Sequence, residues 1–372
     1  LTLPRRILVI KSRHIGDVLL TGPLISTLHA LPSQPRVTAL VKSGTEAMLD
    51  GHPHLDGVRV FPEPGPDEGR LRAALRTLGW LRALRREGFD LAINTTEGDR
   101  GALAAWLCGA RDRIGFTKAG KSRLSVRLLT EPVAWPEDHT HTVLTNLKLA
   151  AGLTPHQERT VHLTVAPGDR EWVAQTLRAG GLDPQRPVVQ VHPTSRWLFK
   201  CWHDEGMARA IDFLRAQGLQ VVVTAGPGQK ERAKLDRILA LSRHDPLDLG
   251  GRLSLKQLAA LTSRCRLFFG VDTAPMHMAA ALGVPVIALF GPSGSFHWGP
   301  WPNGWQGRAT PYPGRNGIQR AGPHTVIQAS WSCVPCGQDG CAGSKRSRCL
   351  EELAPEGVLA IVGQRLRELE LT

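Results

Sequence analysis

Along these 372 residues, short β-branched runs bounded by glycine, proline or polar residues alternate with longer segments of helical period, and the alternation occurs twice. Such βα alternation predicts parallel sheets covered by helices, hence an α/β chain of two doubly wound halves. In the first half the strands fall at Arg6 to Ile10, Arg36 to Val41 and Leu91 to Asn94, with helices over Val18 to Ala30 and Arg70 to Glu87. In the second half they fall at Val188 to Val191, Gln220 to Thr224, Leu267 to Gly270 and Val286 to Phe290. Helices are expected near Gly206 to Gln217, Gln229 to Leu241, Leu255 to Ser263 and Pro275 to Leu282. Ala166-Pro167-Gly168-Asp169 breaks the chain between the halves. The expected domains are 1–167 and 168–350, followed by a C-terminal segment, 351–372, whose helix is expected to pack back on the N-terminal domain. Gly291 to Gly322, rich in Gly, Pro and Trp, resolves into no element.

A chain of this length can bury a core in each of two domains. With 42% apolar and 21% charged residues it is not a disordered polyelectrolyte. Its net charge of +13 predicts an anionic partner: nucleic acid, an anionic membrane surface or a phosphorylated ligand. The longest apolar runs, such as Val284 to Phe290, fall far short of the roughly 20 residues that span a bilayer. The apolar segment after Arg5 and Arg6 ends at Lys11 with no small-residue cleavage site, so a cytoplasmic protein is expected. Seven cysteines, an odd number, do not suit a secreted disulfide framework.

Doubly wound sheets bind ligands outside the carboxyl ends of their strands, so the turns there carry the functional reading. The first is Lys11-Ser12-Arg13-His14-Ile15-Gly16-Asp17, in which Asp17 is either a helix cap or a functional carboxylate. It holds no G-x-G-x-x-G, and no Walker lysine motif occurs, which disfavours fingerprint dinucleotide binding and P-loop chemistry. The second, His192 to Trp202, sets Thr194, Ser195, Arg196 and Lys200 among Trp197, Leu198, Phe199 and Trp202, either a phosphate site or a polar loop over a buried tryptophan. The third, Ala225-Gly226-Pro227-Gly228-Gln229-Lys230-Glu231, admits close backbone approach or simply turns. The fourth runs from Gly270 through Asp272, Thr273, Ala274 and Pro275 to His277. Asp272 or Thr273 can cap the helix that starts there, and the free N–H groups of that start suit a diphosphate.

These turns, in this order, resemble the ADP-heptose:lipopolysaccharide heptosyltransferases of glycosyltransferase family 9. The likeness is carried by ILVIKSRHIGDVLL (Ile7 to Leu20), HPTSRWLFKCW (His192 to Trp202) and GVDTAPMHMAAALGVPVIALFGP (Gly270 to Pro292) and spans nearly the whole chain. PTSRWLFKCW and the stretch Phe296-His297-Trp298 to Trp301 are most like the heptosyltransferase III branch. The resemblance implies a GT-B fold, two Rossmann-like domains facing across a cleft, with the acceptor on the N-terminal side and ADP-L-glycero-β-D-manno-heptose on the C-terminal side. It further implies an inverting enzyme that needs no metal or other cofactor for chemistry. By the same resemblance Asp17 is the catalytic base, with Lys200 stabilising the leaving diphosphate. Thr194, Ser195 and Lys200 contact phosphate and sugar, Asp272 the heptose, and Thr273 and Ala274 the diphosphate. His277 takes the matching helix position, Leu253 the adenine-binding backbone and Glu231 the ribose, although the turn at Gly226 is one residue longer than the family pattern.

The helix over Arg70 to Glu87 places Leu71, Leu75, Leu78 and Leu81 along one face, with Arg72, Arg76, Arg82, Arg85 and Arg86 over the others. Arg100, Arg111, Arg113, Lys118, Lys121, Arg123 and Arg127 continue the surplus through the same half. This basic region is expected to dock the phosphorylated inner-core acceptor at the cytoplasmic face of the inner membrane, with Arg13, His14, Arg72, Arg76 and Arg123 as acceptor-binding candidates. Cys333, Cys336, Cys341 and Cys349 form C-x2-C-x4-C-x7-C, read as a structural metal staple, with free thiols or oxidised pairs as the alternatives. Two other readings stay open: a heptosyltransferase acting on another core position or on a protein, and a basic nucleic-acid-binding protein. Against the latter stands the absence of a zinc-finger histidine pair, an RNP-like motif or a helix-turn-helix signal.

Overall fold

The computed structural model describes residues 3–63, 65, 68–118, 123–136 and 139–371. Lys121 and the Arg123 side chain, both expected on the basic surface, lie outside what is described. The chain divides into two compact units, residues 1–164 and 165–372.

The first unit is built on a six-stranded sheet of β1 (Arg6–Lys11), β2 (Arg36–Val41), β3 (Gly57–Val60), β4 (Leu91–Asn94), β5 (Asp112–Thr117) and β6 (Glu131–Ala134). Its order is β3-β2-β1-β4-β5-β6 and every pairing is parallel. β1 lies at the centre, Val9 pairing with Ala39 on one side and Ile93 on the other, and all of β1 after Arg6 is buried. The single helix expected over Val18 to Ala30 is two, Ile15–Leu19 and Gly22–His29. Pro23 explains the break, because it has no N–H to continue the first helix and its fixed φ suits a new first turn.

The second unit holds β7 (Val188–His192), β8 (Gln220–Val223), β9 (Leu247–Asp248), β10 (Leu267–Val271), β11 (Val286–Phe290), β12 (Ile318–Ala321) and β13 (His324–Gln328). The order β12-β13-β11-β10-β7-β8-β9 repeats the winding of the first sheet over its first five strands, β7 to β11, and only the edge pair β12–β13 is antiparallel. Val189, Val191, Phe269, Val271, Ile287 and Leu289 form the core beneath Met207, Ile211 and Leu214 of helix Asp204–Ala216. The C-terminal helix, Pro355–Glu368, packs on that same helix, and Val358, Val362 and Leu366 are fully part of this core. It therefore belongs to the second unit instead of forming a segment of its own. Gly291 to Gly322, unresolved in the sequence, contributes the short helix Ser295–Trp298, the edge strand β12 and a buried Tyr312 whose hydroxyl donates to the Pro300 carbonyl at 2.7 Å.

The arginine-rich helix spans Arg70–Arg86, and its leucine face is not its buried face. Leu84 is its one buried residue, whereas Leu71, Leu75 and Leu78 are exposed.

Candidate active site

In a sheet wound in the order 3-2-1-4-5-6, the helices cross over to opposite faces between strands 1 and 4, leaving a crevice at their carboxyl ends. Here those pairs are β1/β4 and β7/β10, and both crevices are lined by the turns singled out in the sequence.

At the end of β1, Lys11 is buried and its Nζ lies 3.2 Å from Asp17 Oδ1 and 3.3 Å from the Thr95 carbonyl, just past β4. Asp17 sits in the first turn of helix Ile15–Leu19, but His14 is the cap residue and no side chain caps the helix. The capping alternative for Asp17 thus gives way to an ion pair at the crevice. His14 holds φ at +26°, a left-handed conformation that costs a residue with a Cβ about 1–3 kcal/mol and is concentrated at functional turns. Asn94 locks the neighbouring turn, its side chain donating to the Thr96 carbonyl at 2.9 Å and accepting from the Thr96 N–H at 3.1 Å. Gly101 makes room for it, since a Cβ there would lie 2.0 Å from Asn94 Oδ1. Sequence reasoning missed Lys11 and Thr95 as site residues. The signal for Lys11 was present: it is the one charge at the end of the buried run Ile7 to Ile10.

At the end of β7 the chain delivers Thr194 and Ser195, both buried, then the short helical turn Leu198–Lys200. Lys200 Nζ donates to Asp272 Oδ2 at 2.7 Å, joining the turn after β7 to the turn after β10. Burial would push the Asp272 carboxyl up, but the Lys200 ammonium, a hydrogen bond from Ser293 and the nearby His277 hold it below the usual carboxylate range. Asp272 is therefore a buried, ionised partner of Lys200 and not a helix cap. Thr273 is the cap of helix Ala274–Ala281, with extended backbone and no capping side-chain bond. Pro275 occupies the first turn, as expected.

Thr194 Oγ1 donates to Glu231 Oε2 at 2.9 Å, and the Gly226 N–H reaches the same oxygen at 3.2 Å. Gly226 is needed for this approach, because a Cβ there would lie 2.4 Å from Glu231 Oε1. The turn carrying Leu253 joins the group through the Gly251 N–H, which donates to the Ala225 carbonyl at 3.0 Å. Beneath them His192 Nδ1 and Gln190 Nε2 converge on Thr224 Oγ1 at 2.8 and 3.0 Å, and Thr262 donates to Gln190 at 2.7 Å. This buried polar chain fixes the ends of β7 and β8. Trp197 and Leu198 are exposed, while Phe199 and Trp202 are buried, so only half of the expected apolar frame is core.

A model of glycosyltransferase family 9 (heptosyltransferase) matches residues 78–308, most of the chain and parts of both units. The chain belongs to glycosyltransferase family 9. Lipopolysaccharide heptosyltransferase 3 of Escherichia coli K12 is 31% identical over 319 residues, covering 83% of this family 9 chain and 90% of the relative. Among solved structures, Escherichia coli ADP-heptose LPS heptosyltransferase II superposes with a TM-score of 0.74 at 20% identity, covering 98% of this chain and 99% of that one. The Escherichia coli heptosyltransferase WaaC with ADP gives 0.67 at 19%, covering 97% and 99%. These likenesses establish the GT-B fold for this glycosyltransferase.

Of the acceptor candidates, Arg76 is paired with Glu68 at 2.9 Å and donates to the Glu63 carbonyl at 2.8 Å, while Arg13, His14 and Arg72 are exposed. The four cysteines form no disulfide among themselves. Cys333, Cys336 and Cys341 are exposed free thiols on the surface, whereas Cys349 is buried. Burial, with the other three sulfurs adding to it, pushes the Cys349 thiol up to about 11. Among the described residues no group of three or more His, Cys, Asp or Glu side chains is placed to hold a metal ion.

Proposed function

We propose that this family 9 glycosyltransferase moves L-glycero-D-manno-heptose from ADP-heptose to the inner core of lipopolysaccharide, as a heptosyltransferase III. The observation that carries the donor half is the Lys200–Asp272 pair beside a helix start with no capping side chain. A pyrophosphate placed there would meet the ammonium and the N–H groups of Thr273 and Ala274, and the partial positive charge of the helix start would favour the charge that builds on leaving. Glu231, bonded to Thr194 and Gly226, suits a ribose hydroxyl, and the backbone at Leu253 suits adenine. Ser195 and His277 complete the donor set, with Asp272 orienting heptose hydroxyls. The name of the heptosyltransferase solved with ADP supports the nucleotide.

For the transfer itself, Asp17 accepts the proton of the acceptor hydroxyl as the new C–O bond forms at the anomeric carbon. The bond to the diphosphate breaks on the opposite face, its electron pair leaving with ADP, and configuration inverts. A positioned carboxylate contributes about 10² to 10⁴ in rate. Lys11 positions Asp17 through the ion pair at 3.2 Å. Arg13, His14 and Arg72 are the acceptor contacts of this reading, and the enzyme works at the cytoplasmic face of the inner membrane as a peripheral protein.

The deciding experiment incubates the protein with ADP-heptose and truncated core acceptors that differ in the last heptose or its phosphate, and locates the new linkage by mass spectrometry. Turnover on an acceptor ending in the second heptose is expected. Transfer only to a protein, or to an earlier core position, would refute the branch; absence of ADP binding would refute the donor site.

A further inference from the structure

Helix Arg70–Arg86 carries two apolar stripes, and the fold uses only one. Ala73, Thr77, Trp80, Leu81 and Leu84 are the positions withdrawn from water, with Leu84 and Trp80 joining Leu8, Ile10, Leu40 and Ala92 in the core. Leu71, Leu75 and Leu78, spaced at i, i+4 and i+7, are 74%, 60% and 42% exposed. At about 3.6 residues per turn the second stripe lies roughly 140° around the helix from the first. A helix serving only to cover a sheet has its polar residues there.

The charge of this helix has one sign: six arginines and no carboxylate in 17 residues. Arg76 is paired with Glu68, while Arg70, Arg72, Arg82 and Arg86 have no ion pair among the described residues. Helix Asp99–Leu107 lies on the same face of the sheet, because its Ala104 and Ala105 share the core cluster of Leu84. It too turns apolar residues to water, Leu103 at 39% and Trp106 at 49%. An exposed tryptophan, apolar but for one N–H, suits the boundary between lipid and water.

We infer that this face is an in-plane docking surface for an anionic phospholipid bilayer, Leu71, Leu75 and Leu78 entering the acyl boundary while the arginines beside them meet lipid phosphates. The inference deepens the peripheral association proposed above by naming the residues and the lipid chemistry. A helix of this length with six arginines does not cross a bilayer but lies in its surface, bound by apolar burial and by attraction to anionic headgroups. A second copy of the chain is the poorer occupant, since pairing two such faces sets arginines of one against arginines of the other.

The test is flotation of the full chain with vesicles of phosphatidylcholine alone and of phosphatidylcholine mixed in equal parts with phosphatidylglycerol. Binding is expected only to the anionic vesicles and falls as salt rises. The L71Q/L75Q/L78Q variant is expected to bind at least about 100-fold more weakly, with its circular dichroism and ADP affinity unchanged. R82Q and R86Q are each expected to weaken binding about fivefold. Equal binding of wild type to both vesicles, undiminished binding by the triple leucine variant, or a dimer that this variant dissolves would each overturn the inference. ADP affinity measured on the same samples separates the two readings: its absence with vesicle binding intact sinks the donor site alone, and the reverse sinks the docking surface alone.

Discussion

Replacing Lys200 with methionine keeps the length of the side chain and removes the charge that faces Asp272 at 2.7 Å. Asp272 is 4% exposed, so the variant leaves a carboxylate buried with only the Ser293 hydroxyl and the more distant His277 to support it. Breaking a buried pair from one side costs about 3–5 kcal/mol, and the surviving Ser293 bond together with the partial exposure of Lys200 places this case near 3. In the wild type the depressed pKa of Asp272 stabilises the fold above the unfolded carboxyl value near 3.9, and that contribution is lost as pH falls through the folded value. In the variant the burial effect is unopposed, the carboxyl titrates upward, and the defect is largest near neutrality and shrinks on acidification. Urea denaturation of Lys200→Met, Asp272→Asn and the double variant, at neutral pH and about two units lower, measures both trends. The double variant should regain much of the loss, giving a coupling of about 2 kcal/mol or more. A Lys200→Met protein within about 1 kcal/mol of wild type at neutral pH, with no recovery in the double variant, would show that the pair is not the buried interaction described.

Asp17→Asn should fold and bind ADP normally while turnover falls at least about 100-fold; near-normal turnover removes Asp17 from the base role. Buried His52, His192 and His324 are each pushed down to about 3, by burial foremost. The unfolded chain binds protons below about 6.5 that the folded one refuses, so stability is complete above that pH and falls as pH drops toward 3. By about pH 5.5 each histidine should cost about 1.4 kcal/mol, which thermal scans across that range would reveal as a steady decline in Tm; a flat profile would contradict the burial. Gly101→Ala forces a Cβ onto Asn94 Oδ1 and should cost about 1–3 kcal/mol, read by urea denaturation, with Gly101→Ala/Asn94→Ala recovering part of it.

The strands at the centre of each sheet were legible because β1, β10 and β11 are apolar runs and β7 is interrupted only by Gln190 and its final His192, which is close to what burial on both faces of a parallel sheet demands. The edges were not. β5 opens on Asp112 and Arg113, β6 contains Pro132, and β13 buries His324, Thr325 and Gln328, so none shows a strand-like apolar pattern. Gln328 is there because its amide donates to the carbonyls of Gly291 and Ser293, a reason that exists only in the folded chain. The turns after β7 and β10 could be found from residue types, but the Lys200–Asp272 bond spans 72 positions and left no local trace. In the helix Arg70–Arg86 the strongest apolar periodicity pointed outward, because the inward positions include the small or polar Ala73 and Thr77.

The winding that the two sheets share over their first five strands has an evolutionary consequence. Each unit has its own core and its own strand-end crevice, and the chain passes between them only once, at Thr164 and Val165. If the proposed assignment of acceptor to the first unit and donor to the second holds, substitutions in the turns of one sheet can alter one choice without entering the core that supports the other. Under that assignment, a recombinant joined at the single crossing would be the simplest way for a lineage to try a new acceptor with an old donor.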